Sequence, residues 1–139
     1  LRRRPEARWR KDPKDIPGLA KLQRQLLASA FKALRPGGAL VYSTCSPVLA
    51  ETRDVVRDFL ASHGRAKLLD AGEVANRVAI RDVSARDGMV QLWADTDCTD
   101  GMFVALIAKE PDAEPSAAAK ETAEEKSAEA GNAGGAVGD

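Results

Sequence analysis

The sequence lacks the features that mark several classes of protein. Its two cysteines in 139 residues are too few for a disulfide-stabilised scaffold, which favours reduced thiols in a cytoplasmic protein. No stretch approaches the roughly 18 apolar residues that span a bilayer, and no apolar segment follows the basic start as in a signal peptide. Neither a GxGxxG nor a GxxxxGKS/T pattern is present, so these residues offer no phosphate-binding loop.

Charge is unevenly distributed along the chain, although the formal net charge is zero. Residues 1–36 carry eleven basic and three acidic side chains, a net charge of +8. Residues 110–139 carry two basic and eight acidic side chains, a net charge of −6. A basic head favours contact with nucleic-acid phosphates, although a solvated surface is the alternative. The arginines that we expect to contact RNA are Arg2, Arg3, Arg4, Arg8 and Arg10.

Composition also divides the chain into a folded part and a tail. From Glu110 onward it consists mainly of Ala, Glu, Lys, Ser, Gly and Pro, with Val137 as its one large aliphatic residue. Such a segment cannot bury enough apolar surface to offset the entropy of ordering. We therefore predict one domain within residues 1–109 and a disordered acidic tail over residues 110–139.

Helical periodicity predicts a first helix from Ile16 to Leu34, ended by the Arg-Pro-Gly-Gly sequence at 35–38. The residues predicted to face the core are Ile16, Leu19, Leu22, Leu26, Ala30 and Leu34. The short apolar run 39–43 then favours a buried strand of a parallel sheet. A second helix is predicted at about 49–62, and its apolar residues are Val55, Val56, Phe59 and Leu60.

The last apolar segments predict an antiparallel hairpin, with strands at 89–93 and 102–108 joined by a polar turn. Residues 66–69 and 74–80 fit either short strands or helical turns. The order of elements is typical of the second half of an open α/β sheet. The strand at 39–43 must then pair either with sequence outside this chain or with the late hairpin.

Cys45 is the most informative candidate for chemistry, because it directly follows a predicted strand. Ligands bind at the carboxyl ends of strands in open α/β sheets, and a thiolate at such a position is a plausible nucleophile. The structural alternative is a cysteine that packs as a small buried apolar residue. Spacing alone leaves both interpretations open.

The other candidate residues carry weaker signals. Cys98 lies among aspartates in the predicted hairpin turn, with no second cysteine or histidine nearby in sequence to complete a metal site. His63, the only histidine, ends the second helix, where it is better explained as a cap than as a catalytic base.

Four segments together resemble a known family. Leu34–Thr44 resembles the turn and fifth strand of Rossmann-like S-adenosylmethionine-dependent methyltransferases. The Tyr-Ser-Thr-Cys-Ser-Pro sequence at 42–47, followed by Glu51-Thr52, resembles the Thr-Cys-Ser motif of the RNA cytosine-5 methyltransferases, which include ribosomal RNA small subunit methyltransferase B. Residues 1–10 are similar to the stretch after the Pro-Cys motif of that family. Residues 91–93 and 99–105 are similar to its closing hairpin.

The resemblance implies an α/β fold, the carboxyl-terminal half of the methyltransferase sheet ending in an antiparallel hairpin. It implies that Cys45 attacks carbon 6 of cytosine, so that carbon 5 accepts a methyl group from S-adenosylmethionine. Thr44 and Ser46 would shape the loop without a chemical step. The expected partner is small-subunit ribosomal RNA, and the expected parent enzyme is monomeric and not bound to a membrane.

The Pro-Cys motif of the family and the features that precede it have no counterpart in this sequence. These are the glycine-rich cofactor loop, the acidic residues that hold the cofactor, and the second cysteine, which helps remove the carbon-5 proton. We therefore expect a carboxyl-terminal fragment that is inactive alone, with no metal and with most of the cofactor site outside it. The alternative is a non-catalytic RNA-binding fragment that uses the basic head. A methyltransferase with another substrate is disfavoured by the Thr-Cys-Ser motif.

Overall fold

The computed structural model describes residues 12–83 and 85–112. Residues 1–11, which include the arginines predicted to contact RNA, and residues 113–139 of the acidic tail lie outside this part, so the predictions for them stay predictions. The helices are α1 (Ile16–Ala33), α2 (Arg53–Ser62) and α3 (Ala71–Asn76), with short 3₁₀ helices at Pro13–Asp15 and Leu49–Glu51. The strands are β1 (Ala39–Thr44), β2 (Ala66–Leu69), β3 (Ala85–Arg86), β4 (Met89–Leu92) and β5 (Met102–Lys109). No helix in the described part is long and apolar enough to cross a membrane.

β5 is the centre of the sheet. β1 pairs with it antiparallel along residues 103–108, and β4 pairs with its first half, which confirms the predicted hairpin. β2 pairs antiparallel with its second half, while β3 adds two residues beyond β4. The partner of β1 therefore comes from the late hairpin, one of the two alternatives left open by the sequence. Since β1 and β2 both run opposite to β5, they are parallel to each other but not adjacent.

The core lies between one face of β5 and the helices α1 and α2. Period-two alternation buries Phe103, Ala105 and Ile107 completely. The rings of Phe31 and Phe59 meet edge to face, with centroids 5.2 Å apart, and so join α1 to α2 above the sheet. The predicted apolar face of α2 is confirmed in its main part, since Val55, Val56 and Phe59 are buried.

The predicted core face of α1 is wrong in the middle of the helix, although Leu34 at its end does pack against the core. The helix occurs where it was predicted, but its buried residues are Ala20, Leu27 and Phe31. Leu22 and Leu26, which the periodicity placed in the core, are 50% and 61% exposed. The helix carries two apolar stripes, and the aromatic contact of Phe31 with α2 decides which stripe faces the sheet.

The prediction of a strand after the glycines is confirmed, but its expected burial in a parallel sheet is not. Alternate residues of β1 are exposed, Val41 to 63%, and the pairing with β5 is antiparallel. In the described part β1 is an edge strand, so only one of its edges has a backbone partner.

The end of α1 is fixed by glycine and by one lysine. Gly37 has φ +73°, and a Cβ on Gly38 would lie 2.9 Å from the Arg35 carbonyl oxygen, so both positions require glycine. Lys109 Nζ donates to the carbonyl oxygens of Phe31 and Leu34 at 3.0 and 2.7 Å. These bonds satisfy carbonyls at the end of α1 and place the start of β1 beside the end of β5.

Candidate active site around Cys45

Cys45 is the first residue after β1. It is a free, exposed thiol at the carboxyl end of the strand. This exposure argues against the interpretation of Cys45 as a buried packing residue. In the described part of the chain, the thiol is therefore open to solvent at the carboxyl end of β1.

The loop after Cys45 is held by bonds between neighbouring residues. The Ser46 backbone N–H donates to Thr44 Oγ1 at 3.2 Å, and the Val48 N–H donates to Ser46 Oγ at 3.2 Å. Side-chain hydroxyls that accept from nearby backbone donors are a common way to fix a tight turn. The sequence-based prediction that Thr44 and Ser46 shape this loop agrees with these bonds.

Glu51 connects the loop to the rest of the fold. Its carboxylate accepts a hydrogen bond from Ser46 Oγ at 2.8 Å and another from Gln23 Nε2 of α1 at 3.1 Å. Its backbone carbonyl accepts from the Tyr42 hydroxyl of β1 at 2.8 Å. The sequence marks Glu51 as an acidic residue near a helix start and as part of the match to the family motif, but it gives no signal for Gln23. The contact between Gln23 and Glu51 joins residues 28 positions apart and becomes visible only in the folded chain.

The orientation of the Gln23 amide follows from Glu51. Its nitrogen donates to the carboxylate, while its Oε1 is buried and has no hydrogen-bond partner in the described part of the chain. The opposite orientation would place an amide oxygen against a carboxylate oxygen. The carboxylate therefore selects this orientation even though it leaves a buried acceptor unpaired.

Tyr42 is half-buried, and nearby charges act on its phenol. Burial raises the pKa of the Tyr42 phenol above its usual 10.0, the negative charge of Glu51 raises it further, and Arg24 partly opposes the shift. The phenol therefore stays protonated at neutral pH and remains a donor to the Glu51 carbonyl.

Thr52 holds the same loop through a hydrogen bond to its backbone. It is 1% exposed, and its hydroxyl donates to the Val48 carbonyl at 2.9 Å. It is also the residue at which the 3₁₀ turn ends and α2 begins, with φ −125° and ψ −101°. The single predicted helix over 49–62 is thus interrupted at Thr52.

The structure places the other candidates apart from this loop. Cys98 is exposed in the turn before β5, with a positive φ of 54°. His63 is the C-cap of α2, where its Nδ1 lies 3.0 Å from the Phe59 carbonyl and its ring stacks on Phe59 at 4.0 Å. The predicted capping role of His63 is confirmed. Among residues 12–83 and 85–112, no three His, Cys, Asp or Glu side chains converge as a metal site requires.

Comparison with solved structures defines the class of protein. The chain superposes on a structure named PH0851 with a TM-score of 0.65 at 35% identity, covering 76% of this chain and 22% of that one. It also superposes on NSun6 from Pyrococcus horikoshii, determined with SFG, with a TM-score of 0.60 at 28% identity, covering 73% and 25%. The fold is therefore part of a methyltransferase of Rossmann-like type.

Sequence comparison identifies the family. The model of the 16S rRNA methyltransferase RsmB/F family matches residues 1–108, so this chain belongs to that family. It is 48% identical over 110 residues to the "Putative methyltransferase Rv1407" of Mycobacterium tuberculosis, covering 77% of this chain and 23% of that protein. It is 37% identical over 113 residues to ribosomal RNA small subunit methyltransferase B of Sodalis glossinidius, covering 81% and 24%. The chain thus spans about a quarter of the length of these relatives.

Proposed function

We propose that this chain is the nucleophile-bearing part of an S-adenosylmethionine-dependent methyltransferase that modifies carbon 5 of cytosine in small-subunit ribosomal RNA. The observation that supports this most is the exposed thiol of Cys45, at the carboxyl end of a strand in a family of ribosomal RNA methyltransferases. We also propose that the enzyme acts as a monomer in the cytoplasm.

The chemistry proposed for Cys45 requires an accessible thiolate. Its sulfur forms a bond to carbon 6 of cytosine, and the electron pair of the carbon 5–carbon 6 double bond makes carbon 5 nucleophilic. Carbon 5 would then accept the methyl group of S-adenosylmethionine, whose methyl–sulfur bond breaks so that S-adenosylhomocysteine leaves. A base removes the carbon-5 proton, the double bond re-forms, and the sulfur–carbon 6 bond breaks to release free Cys45.

The cofactor site is proposed to lie mostly outside this chain. The NSun6 structure contains SFG, an analogue of S-adenosylmethionine, which supports the use of this cofactor in related proteins. Residues 1–139 include no GxGxxG loop, and we assign none of them to the cofactor. Their proposed contribution is the nucleophile and the support of its loop.

RNA contact is proposed for the arginines within residues 1–11, which lie outside the described residues. Neutralising phosphates with Arg2, Arg3, Arg4, Arg8 and Arg10 would make RNA affinity fall steeply with salt. The second candidate function, a non-catalytic RNA-binding fragment, rests on the same net charge of +8 over residues 1–36.

Covalent trapping separates the two candidates. We expect the full-length protein that carries this chain to form a stable adduct with a small-subunit ribosomal RNA transcript containing 5-fluorocytosine. Once carbon 5 has been methylated with added S-adenosylmethionine, its fluorine cannot be removed as a proton is, so the sulfur–carbon 6 bond persists. The adduct should be absent in Cys45→Ser and present at the wild-type level in the matched control Cys98→Ser.

Two outcomes would decide against the proposal. An adduct that forms equally well in Cys45→Ser would show that another residue is the nucleophile. Salt-dependent RNA binding without any adduct in the wild-type protein would favour the non-catalytic alternative, provided that the protein is supplied with S-adenosylmethionine.

A further inference from the structure

We propose that Glu51 is a positioning residue for Cys45, acting through Ser46 on one side and Gln23 on the other. We call these three side chains the Glu51 clamp. This inference rests on the proposed function, because it gives the clamp the task of holding the loop that carries the nucleophile. It concerns how the loop is held and assigns no chemical step to Glu51.

The clamp fixes Ser46 in both of its hydrogen-bonding roles. The hydroxyl proton points to Glu51 Oε2 at 2.8 Å, which leaves an oxygen lone pair for the Val48 N–H at 3.2 Å. A carboxylate accepts hydrogen bonds and cannot donate them, so it enforces this direction. The residue immediately after Cys45 is thereby held on two sides.

The other half of the clamp connects Glu51 to helix α1. Glu51 Oε1 accepts from Gln23 Nε2 at 3.1 Å, and Gln23 lies in α1 between the buried residues Ala20 and Leu27. The backbone carbonyl of Glu51 is held independently by the Tyr42 hydroxyl at 2.8 Å. Both the side chain and the backbone of Glu51 are therefore anchored, to α1 and to β1 respectively.

This arrangement explains the unpaired oxygen of Gln23. Gln23 Oε1 remains buried without a partner in the described residues because its amide nitrogen is used by the carboxylate. Replacing Glu51 with glutamine would offer an oxygen to Ser46 and an amide N–H to a reoriented Gln23 amide. Glu51→Gln is therefore expected to keep the clamp, whereas Glu51→Ala removes it.

The experiment measures the rate of adduct formation on 5-fluorocytosine RNA in the full-length protein, as a function of RNA concentration. With Glu51→Ala we expect the maximal rate to fall by about 100-fold, the effect of a misplacement of about 1 Å in a reacting group. With Ser46→Ala we expect a fall of about tenfold, because only one bond of the clamp is lost. The RNA concentration that gives half the maximal rate should not change in either variant.

Two further variants separate positioning from other roles. Glu51→Gln should keep the maximal rate within about threefold of wild type, since its bonds can be re-formed without the charge. Asp58→Asn is the matched control, because Asp58 accepts from Arg24 at 2.7 Å and so connects α1 to α2 without contacting the loop. It should leave the rate unchanged, as expected for the loss of an exposed ion pair.

The outcomes distinguish this inference from the proposed function. If Cys45→Ser still forms the adduct, the proposed function fails and the inference fails with it. If Cys45→Ser forms none but Ser46→Ala and Glu51→Ala react at the wild-type rate, only the inference fails. A Glu51→Gln variant as slow as Glu51→Ala would overturn positioning in favour of a role for the charge. If Glu51→Ala does not fold, Ser46→Ala and its rescue by Ser46→Thr carry the test, and an unchanged Ser46→Ala rate contradicts the proposal.

Discussion

Cys45 and Cys98 are both free and exposed, yet the chain around them is built differently. The loop after Cys45 is connected to α1, to β1 and to the start of α2 through Glu51 and Thr52. The turn that contains Cys98 includes a bond between its own residues, in which the Asp97 carboxylate accepts from the Trp93 N–H at 2.6 Å. Exposure alone therefore does not distinguish the two thiols. What distinguishes them is the place in the sheet and the support of the loop.

The largest expected difference between the two sites is in methyl transfer. Cys45→Ser in the full-length protein should reduce incorporation of labelled methyl groups into RNA to background, because a serine hydroxyl is a far weaker nucleophile than a thiolate. Cys98→Ser should remain within about twofold of wild type, as for most surface substitutions. Comparable losses of methyl incorporation in both variants would contradict the assignment of the nucleophile to the Cys45 loop.

The next largest expected difference between the two loops is in how much their threonine hydroxyls contribute to the free energy of unfolding. Thr52→Val removes a buried hydroxyl that donates to the Val48 carbonyl, so the free energy of unfolding should fall by about 1–3 kcal/mol. The matched control is Thr99→Val in the other loop, where the exposed Thr99 hydroxyl donates to the Asp100 carbonyl. That change should cost less than about 0.5 kcal/mol. Thermal melting of the two variants checks this, and equal shifts would show that the first loop has no special support.

The smallest effect concerns the pH dependence of stability through Tyr42. Because burial raises the pKa of Tyr42 in the folded protein, the unfolded chain loses the phenol proton first as the pH rises above 10.0. The stability contributed by Tyr42 is therefore fully present below pH 10 and is lost as the pH rises through the folded pKa. Tyr42→Phe should be about 1 kcal/mol less stable near neutral pH, through loss of the bond to Glu51. The check is to measure the melting temperatures of wild type and Tyr42→Phe across this pH range. A difference that shrinks above pH 10 would agree with this prediction, and a constant difference would contradict it.

The elements could be predicted from sequence because their signals are local. Gly37 and Gly38 mark the end of α1, and the alternation of Met102–Lys109 marks β5. The core face of α1 could not be predicted, since its two apolar stripes have similar spacing and only contacts with α2 choose between them. The pairing of β1 with β5 was likewise left open, because strand partners distant in sequence are not encoded in local periodicity.

In the candidate site, too, some features could be predicted from local sequence and others depend on contacts between distant residues. The position of Cys45 follows from the Thr-Cys-Ser resemblance and from the end of the preceding strand. The contact between Gln23 and Glu51 crosses 28 residues and depends on how α1 packs against the Leu49–Glu51 turn. No spacing rule relates these two residues, so this part of the site emerges only from the fold.

The most direct test of the central claim is to map the RNA adduct within the wild-type protein. Trypsin, which cleaves after Lys and Arg except before Pro, should separate the two cysteines into the peptides 33–53 and 87–109. Mass spectrometry of the adduct with 5-fluorocytosine RNA should find the nucleotide mass on peptide 33–53, at Cys45. Finding it on peptide 87–109, or on a peptide outside both, would contradict the assignment of Cys45 as the nucleophile.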